Sequence, residues 1–233
     1  DCVYTLQPSS DPRVFFSGAG DGMVVKWDLS DPDTGEVIAK LPNSIYALHY
    51  HADSDTVIAG HNYEGIHILD WKNKREIGSL KISGSAIFDI QSFGNVVVVA
   101  SGDGCVYIID LKRLMIVQKL QYSGSSARCI AIDPTNRKIA VGYSDNFIRI
   151  FDEQFGMENE WRAHEKSVFT LRYVPGSPML MSGSRDARFK VWDGASSWAR
   201  KAEVVAHMYA INHVDFSPDG KHFVTCSMDK SIK

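Results

Sequence analysis

The stretch from His164 to Asp193, HEKSVFTLRYVPGSPMLMSGSRDARFKVWD, decides the fold. It contains three short apolar runs, SVFTLRYV, MLMSGS and RFKVWD, separated by the turn PGSP and by a turn at Arg185 and Asp186. A fourth run, KAEVVAH, follows the loop GASSWA. Short runs separated by Gly, Pro, Asp and Ser are typical of antiparallel strands, and no segment of the chain has a convincing helical period. The stretch therefore predicts one four-stranded antiparallel sheet.

An aspartate at the end of the third run recurs along the chain at intervals of 42, 40, 42 and 41 residues. Seven residues before each of these aspartates lies a turn position, and a further turn residue, Asp229, follows Asp186 by 43 residues. A period of about 42 residues that recurs over six segments indicates a repeat architecture, and we call each segment a repeat. The recurring aspartates are Asp28, Asp70, Asp110, Asp152 and Asp193.

The 164–193 stretch resembles the repeats of the WD-repeat β-propellers, which have about this length and end in Trp-Asp. The resemblance covers the whole chain and is strongest in repeats one, five and six. It implies an all-β propeller of four-stranded antiparallel blades around a central channel. We expect one domain over residues 1–233, with five full blades and part of a sixth, belonging to a seven-bladed parent ring of about 295 residues. The expected blades are 1–41, 42–83, 84–124, 125–164, 165–207 and 208–233.

In this family a His, a Ser or Thr, the turn Asp and the Trp form a hydrogen-bonded chain. A buried carboxylate needs donors, and hydroxyl, imidazole and indole groups supply them. The resemblance assigns this structural role to His164, Ser182, Asp186 and Trp192 in repeat five, to Ser17, Asp21 and Trp27 in repeat one, and to His207, Thr225 and Asp229 in repeat six. Repeats two to four depart from the pattern at several positions and are expected to rely on apolar packing there: Ala59, Tyr63, Leu69, Val99, Ile109, Val141 and Phe151.

Three kinds of chemistry are disfavoured by spacing. The glycines of SGAGDGMVVKWD form G-x-G-x-G, which matches neither nucleotide-binding loop. The Ser, His and Asp of the structural chains lack the G-x-S-x-G elbow of a hydrolase. His49, His51, His61 and His67 include a pair at strand spacing that is able to bind zinc, but no Cys or second H-x-H supports them. We therefore expect surface or inter-blade histidines, no metal and no cofactor.

Composition narrows the class of partner. The 233 residues carry a net charge of −3, with a sequence pI of about 6.2, which argues against a general nucleic-acid or membrane-surface binder. No run of eighteen apolar residues and no signal peptide is visible. The four cysteines are isolated from one another, which favours reduced thiols and a cytoplasmic location.

The resemblance implies a non-catalytic scaffold that binds proteins or peptides through its loops, within a larger complex. Residues 162–201 hold eight Lys and Arg against three acids, which suits either a docking patch for an acidic or phosphorylated peptide or a solvated face. On the face that carries the turn Asp, the expected partner-binding residues are Arg185, Met208, Met228, Glu165, Ser167, Asn62 and Ser144. Two alternatives remain: a propeller-type enzyme, either a lactonase or a quinone-dependent dehydrogenase, and a targeting module of a larger multidomain protein.

Overall fold

The computed structural model describes residues 1–133, 135–217 and 219–233. The chain forms two compact units, Asp1–Tyr122 and Ser123–Lys233. Among the described residues the regular structure is β-strand apart from one 3-10 turn, Gly194–Ser196. None of the helical structure in these ranges is long and apolar enough to cross a membrane.

The first unit contains three four-stranded antiparallel sheets, and in each the strands pair in chain order. The strands of the first sheet are β1 (Val3–Pro8), β2 (Val14–Ala19), β3 (Met23–Asp28) and β4 (Asp31–Lys40). Those of the second are β5 (Ile45–His51), β6 (Thr56–His61), β7 (Gly65–Asp70) and β8 (Arg75–Lys81). Those of the third are β9 (Ile87–Phe93), β10 (Val96–Ser101), β11 (Cys105–Asp110) and β12 (Met115–Gln121).

The second unit contains two four-stranded sheets and one two-stranded sheet, again paired antiparallel in chain order. The fourth sheet has strands β13 (Ala127–Ile132), β14 (Ile139–Tyr143), β15 (Phe147–Phe151) and β16 (Met157–Arg162). The fifth has β17 (Val168–Tyr173), β18 (Met179–Ser184), β19 (Arg188–Asp193) and β20 (Ala199–Val205). The sixth has β21 (Ile211–Phe216) and β22 (Phe223–Ser227). The predicted all-β class, with five complete blades and part of a sixth, is confirmed.

The core lies between neighbouring sheets within each unit. In the first unit β1 contacts β5 and β5 contacts β9, and in the second β13 contacts β17 and β17 contacts β21. The middle strands are the most buried; every residue of β6 is buried, whereas most of β20 is exposed. Gly183 marks a close approach of two sheets, because a Cβ there would lie 2.8 Å from Cγ2 of Ile211. Burial of the alternate apolar side chains thus holds successive blades together.

Candidate protein-interaction site

The fifth sheet brings His164, Ser182, Asp186 and Trp192 together. Nε2 of His164 lies 2.8 Å from Oγ of Ser182, and its Nδ1 lies 2.9 Å from Oδ2 of Asp186. The indole Nε1–H of Trp192 donates to the same Ser182 oxygen at 2.9 Å. Ser182 is 0% exposed. The β18–β19 turn is therefore fixed to the segment that precedes β17 by a buried polar chain.

Asp186 is held as a carboxylate by this arrangement. Burial alone would raise the pKa of Asp186, but the hydrogen bond and charge of His164 and the backbone N–H groups of Glu165 and Arg188 lower it to about 2. Burial lowers the pKa of His164, against the opposing effect of Asp186. Near neutral pH the hydrogen-bonded set therefore contains a neutral His164 imidazole next to an ionised Asp186 carboxylate.

The sixth sheet repeats this geometry with Thr225 in place of Ser. Nε2 of His207 lies 2.9 Å from Oγ1 of Thr225, and its Nδ1 lies 2.9 Å from Oδ2 of Asp229. In the first sheet, Nε1–H of Trp27 donates to Oγ of Ser17 at 2.8 Å. Asp21 there accepts the backbone N–H of Met23 at 2.9 Å.

Sheets two to four place apolar side chains where the polar chain is missing. Six of the seven side chains expected to pack there are buried: Ala59, Leu69, Val99, Ile109, Val141 and Phe151. The expectation is wrong for Tyr63, which lies in the β6–β7 turn and is 62% exposed. The turn aspartates of sheets three and four nevertheless have partners that sequence reasoning missed. The hydroxyl of Tyr107 donates to Asp103 at 2.6 Å, and the buried Arg149 forms an ion pair with Asp145 at 2.9 Å. Each partner lies four residues after its turn Asp in the sequence, and this shared spacing could have identified both.

The candidate interaction residues of the fifth and sixth sheets occupy equivalent positions. The backbone N–H of Arg185 donates to Ser167 O at 3.0 Å, and that of Met228 donates to Ala210 O at 3.1 Å. Oδ2 of Asp186 accepts the backbone N–H of Glu165 at 3.1 Å, and Oδ2 of Asp229 accepts that of Met208, also at 3.1 Å. The buried hydrogen-bonded sets around Asp186 and Asp229 thus fix the backbone from which these side chains extend.

Large apolar side chains are exposed at the end of the sixth sheet. Met208 is 84% exposed, Met228 64% and Tyr209 63%. Tyr209 is joined to the β22 end because its carbonyl accepts the hydroxyl of Ser227 at 3.2 Å. Sequence reasoning missed Tyr209, although it adjoins Met208. We call Arg185, Met208, Tyr209 and Met228 the turn-end surface.

The other candidate residues are more dispersed. Ser144 lies beside Ser167, whose hydroxyl donates to its carbonyl at 3.4 Å. Glu165 is exposed and paired with Arg162 at 2.9 Å. Asn62 lies in the first unit, with its amide 3.3 Å from the hydroxyl of Tyr46. The candidate set is thus concentrated in the second unit.

The four histidines of the second repeat separate into two pairs. Nε2 of His49 lies 2.6 Å from Oγ of Ser92, and Nε2 of His51 lies 2.7 Å from Gly94 O, so this pair bridges the second and third sheets. His61 and His67 instead meet each other, with their Nε2 atoms 2.7 Å apart.

The comparison with protein families is decisive for the fold family. The family described as "WD domain, G-beta repeat" matches residues 1–28, 116–152, 157–193 and 199–233. The chain belongs to the WD40 repeat family. WD40 propellers generally serve as protein-interaction scaffolds and are generally not enzymes. The WD40 match covers repeats one, five and six, where the resemblance of the sequence is strongest, and it also includes the fourth.

Two curated proteins are similar to this WD40 chain. Protein groucho of Drosophila melanogaster is 25% identical over 241 residues, which cover 99% of this chain and 32% of Groucho. An uncharacterised WD repeat-containing protein of Schizosaccharomyces pombe is 25% identical over 150 residues, covering 64% of this chain and 37% of that protein. The chain therefore spans about a third of the length of these relatives.

A solved structure supports the same fold. A chain in the crystal structure of the mitotic checkpoint complex superposes with a TM-score of 0.90 at 21% identity, over 99% of this chain and 73% of that one. At this identity the similarity shows the fold alone.

Proposed function

We propose that this WD40 chain is a non-catalytic scaffold and that its turn-end surface binds a peptide segment of a protein partner. The observation that carries the proposal is the exposure of Met208, Tyr209 and Met228 at one sheet end. Exposed apolar side chains gathered in this way are typical of interaction sites. Methionine adapts to varied partner side chains, and an aromatic ring supplies large contact area.

Positive charge at the same turn ends of the fifth and sixth sheets favours an acidic partner. Arg185, Lys166 and Lys230 are exposed, and none of them forms an ion pair with another described side chain. Arginine pairs with carboxylate or phosphate through two parallel hydrogen bonds. The partner segment is accordingly an apolar anchor with a carboxylate or a phosphate next to it.

Burial of the Ser-His-Asp sets supports a non-catalytic role. A serine nucleophile must reach a substrate, but Ser182 is fully buried and already accepts the Trp192 indole hydrogen bond. Thr225, its counterpart in the sixth sheet, is buried as well. These groups are suited to fixing the turn and are inaccessible to a substrate.

A peptide-display selection tests the proposal. The chain is screened against random peptides, and enriched sequences are tested again on Arg185→Glu and Met228→Asp variants, with synthetic phosphopeptides in a parallel arm. We expect acidic peptides with an apolar anchor that both variants lose. Matched controls are Arg137→Glu and Met157→Asp, because both residues are exposed at the opposite end of the fourth sheet. Selected peptides that bind all four variants equally would contradict the proposal, and a preference for the phosphopeptide arm would identify phosphate as the recognised group.

A further inference from the structure

His61 and His67 face each other across the β6–β7 turn, together with Glu64. His61 is fully buried, and the side chain of His67 is 12% exposed. One potential ligand atom from each of His61, Glu64 and His67 lies within 4.8 Å of the others. The turn between the two histidines is tight, with φ of 77° at Tyr63. Three residues that bind metals are therefore grouped at one end of the second sheet.

Hydrogen bonding fixes the protonation of His61. Its Nδ1 lies 2.6 Å from Asn62 O, and a carbonyl oxygen only accepts, so Nδ1 carries the proton. Nε2 of a neutral His61 then presents a lone pair. That lone pair is directed at Nε2 of His67, 2.7 Å away.

His67 cannot satisfy both of its neighbours as a neutral ring. Its Nδ1 lies 3.1 Å from Oε2 of Glu76, without the alignment of a hydrogen bond. If Nδ1 carries the proton, the two Nε2 lone pairs of His61 and His67 oppose each other. If Nε2 carries it, the Nδ1 lone pair opposes the Glu76 carboxylate. Either neutral form sets two electron-rich atoms against one another, and a cation between the two Nε2 atoms removes the conflict.

We propose that His61, His67 and Glu64 bind a zinc ion. Two imidazole nitrogens and one carboxylate oxygen are a ligand set that Zn²⁺ takes in proteins, with the fourth position left to water. The ring nitrogens that point away from the ion face Asn62 O and Glu76, which is the usual outer shell of metal-bound histidines. Tetrahedral zinc needs ligand atoms about 3.3 Å apart, so the nitrogens separate slightly and the exposed Glu64 side chain moves inward. The spacing of these residues matches no short metal motif, and the hairpin brings them together.

Zinc titration of the whole chain tests the site. Isothermal titration calorimetry with ZnCl₂ and metal analysis after dialysis are expected to give one tightly bound ion per chain. Cobalt substitution is expected to give the visible absorption of a tetrahedral site. Loss of a ligand in Glu64→Gln or His67→Gln weakens binding more than 10-fold, and Glu76→Gln weakens it by about 10- to 100-fold. His222→Gln, an exposed histidine of the other unit, leaves binding unchanged.

Circular dichroism of each variant without zinc separates loss of a ligand from loss of folding. Because Glu64 is exposed, we expect Glu64→Gln to remain folded. Its zinc affinity therefore still tests the site if His67→Gln unfolds the sheet. Absence of bound zinc in the wild-type chain would overturn the proposal, as would equal affinity in wild type and Glu64→Gln. A doubly protonated His67 seen by NMR in zinc-saturated protein would also overturn it, because a shared proton would then occupy the place of the ion.

Discussion

The carboxylate of the half-buried Asp229 accepts the backbone N–H of Met208 at 3.1 Å, although the Met208 side chain is 84% exposed. The same oxygen lies 2.9 Å from Nδ1 of the buried His207. Asp186 makes the equivalent pair of contacts with Glu165 and His164. A group that stabilises the blade therefore also sets the backbone position of a residue on the surface that we propose as the docking site.

This coupling predicts a reciprocal pattern of amide hydrogen exchange. In Asp229→Ala the Met208 amide loses its acceptor and should exchange faster, while the Glu165 amide stays protected. In Asp186→Ala the Glu165 amide should exchange faster and the Met208 amide should be unchanged. Each variant is the control for the other, and NMR exchange rates of the two amides measure both. Equal acceleration of the two amides in either variant would contradict the local anchoring.

Removal of the Asp186 carboxylate should destabilise the fold. Asp186→Ala leaves His164 and two backbone N–H groups without their acceptor, and we expect a loss of about 1–3 kcal/mol in the free energy of unfolding. Urea denaturation measures this loss. Tyr63→Ala is the matched control, because Tyr63 occupies the same turn position in the second repeat but is 62% exposed and anchors no polar chain. An unchanged midpoint in Asp186→Ala would refute the stabilising role.

The half-buried His49 should make the stability of the fold depend on pH. Burial, with a smaller effect of the charge on His51, lowers the pKa of His49 from 6.5 to about 4. The folded state therefore binds a proton less readily than the unfolded chain, and stability falls as the pH drops from about 6.5 towards 4. His49→Gln should flatten this slope by up to one proton in denaturation measured across that range. His222→Gln should leave the slope unchanged, and a wild-type slope in His49→Gln would show that other groups dominate.

The features that recur in every repeat could be predicted from the sequence, whereas side-chain contacts specific to a single hairpin could not. The recurring aspartates mark the strand ends because every blade must turn at the same place, so Asp193 and its equivalents predicted the sheets. Tyr107 and Arg149 replace the usual partners of the turn Asp, and no family pattern points to them. The meeting of His61 with His67 depends on how the β6–β7 turn folds, which the spacing of the residues alone does not give.

Binding kinetics of Met228→Asp test the central claim of a turn-end docking surface most directly. With a peptide selected on the wild-type chain, surface-based kinetics should show at least 10-fold faster dissociation for Met228→Asp, because a buried apolar anchor sets how long a partner stays bound. Arg185→Glu should mainly slow association and weaken its dependence on salt. Met157→Asp and Arg137→Glu should behave as wild type, and thermal melts should show that every variant is folded. Wild-type dissociation of a folded Met228→Asp variant would contradict the account.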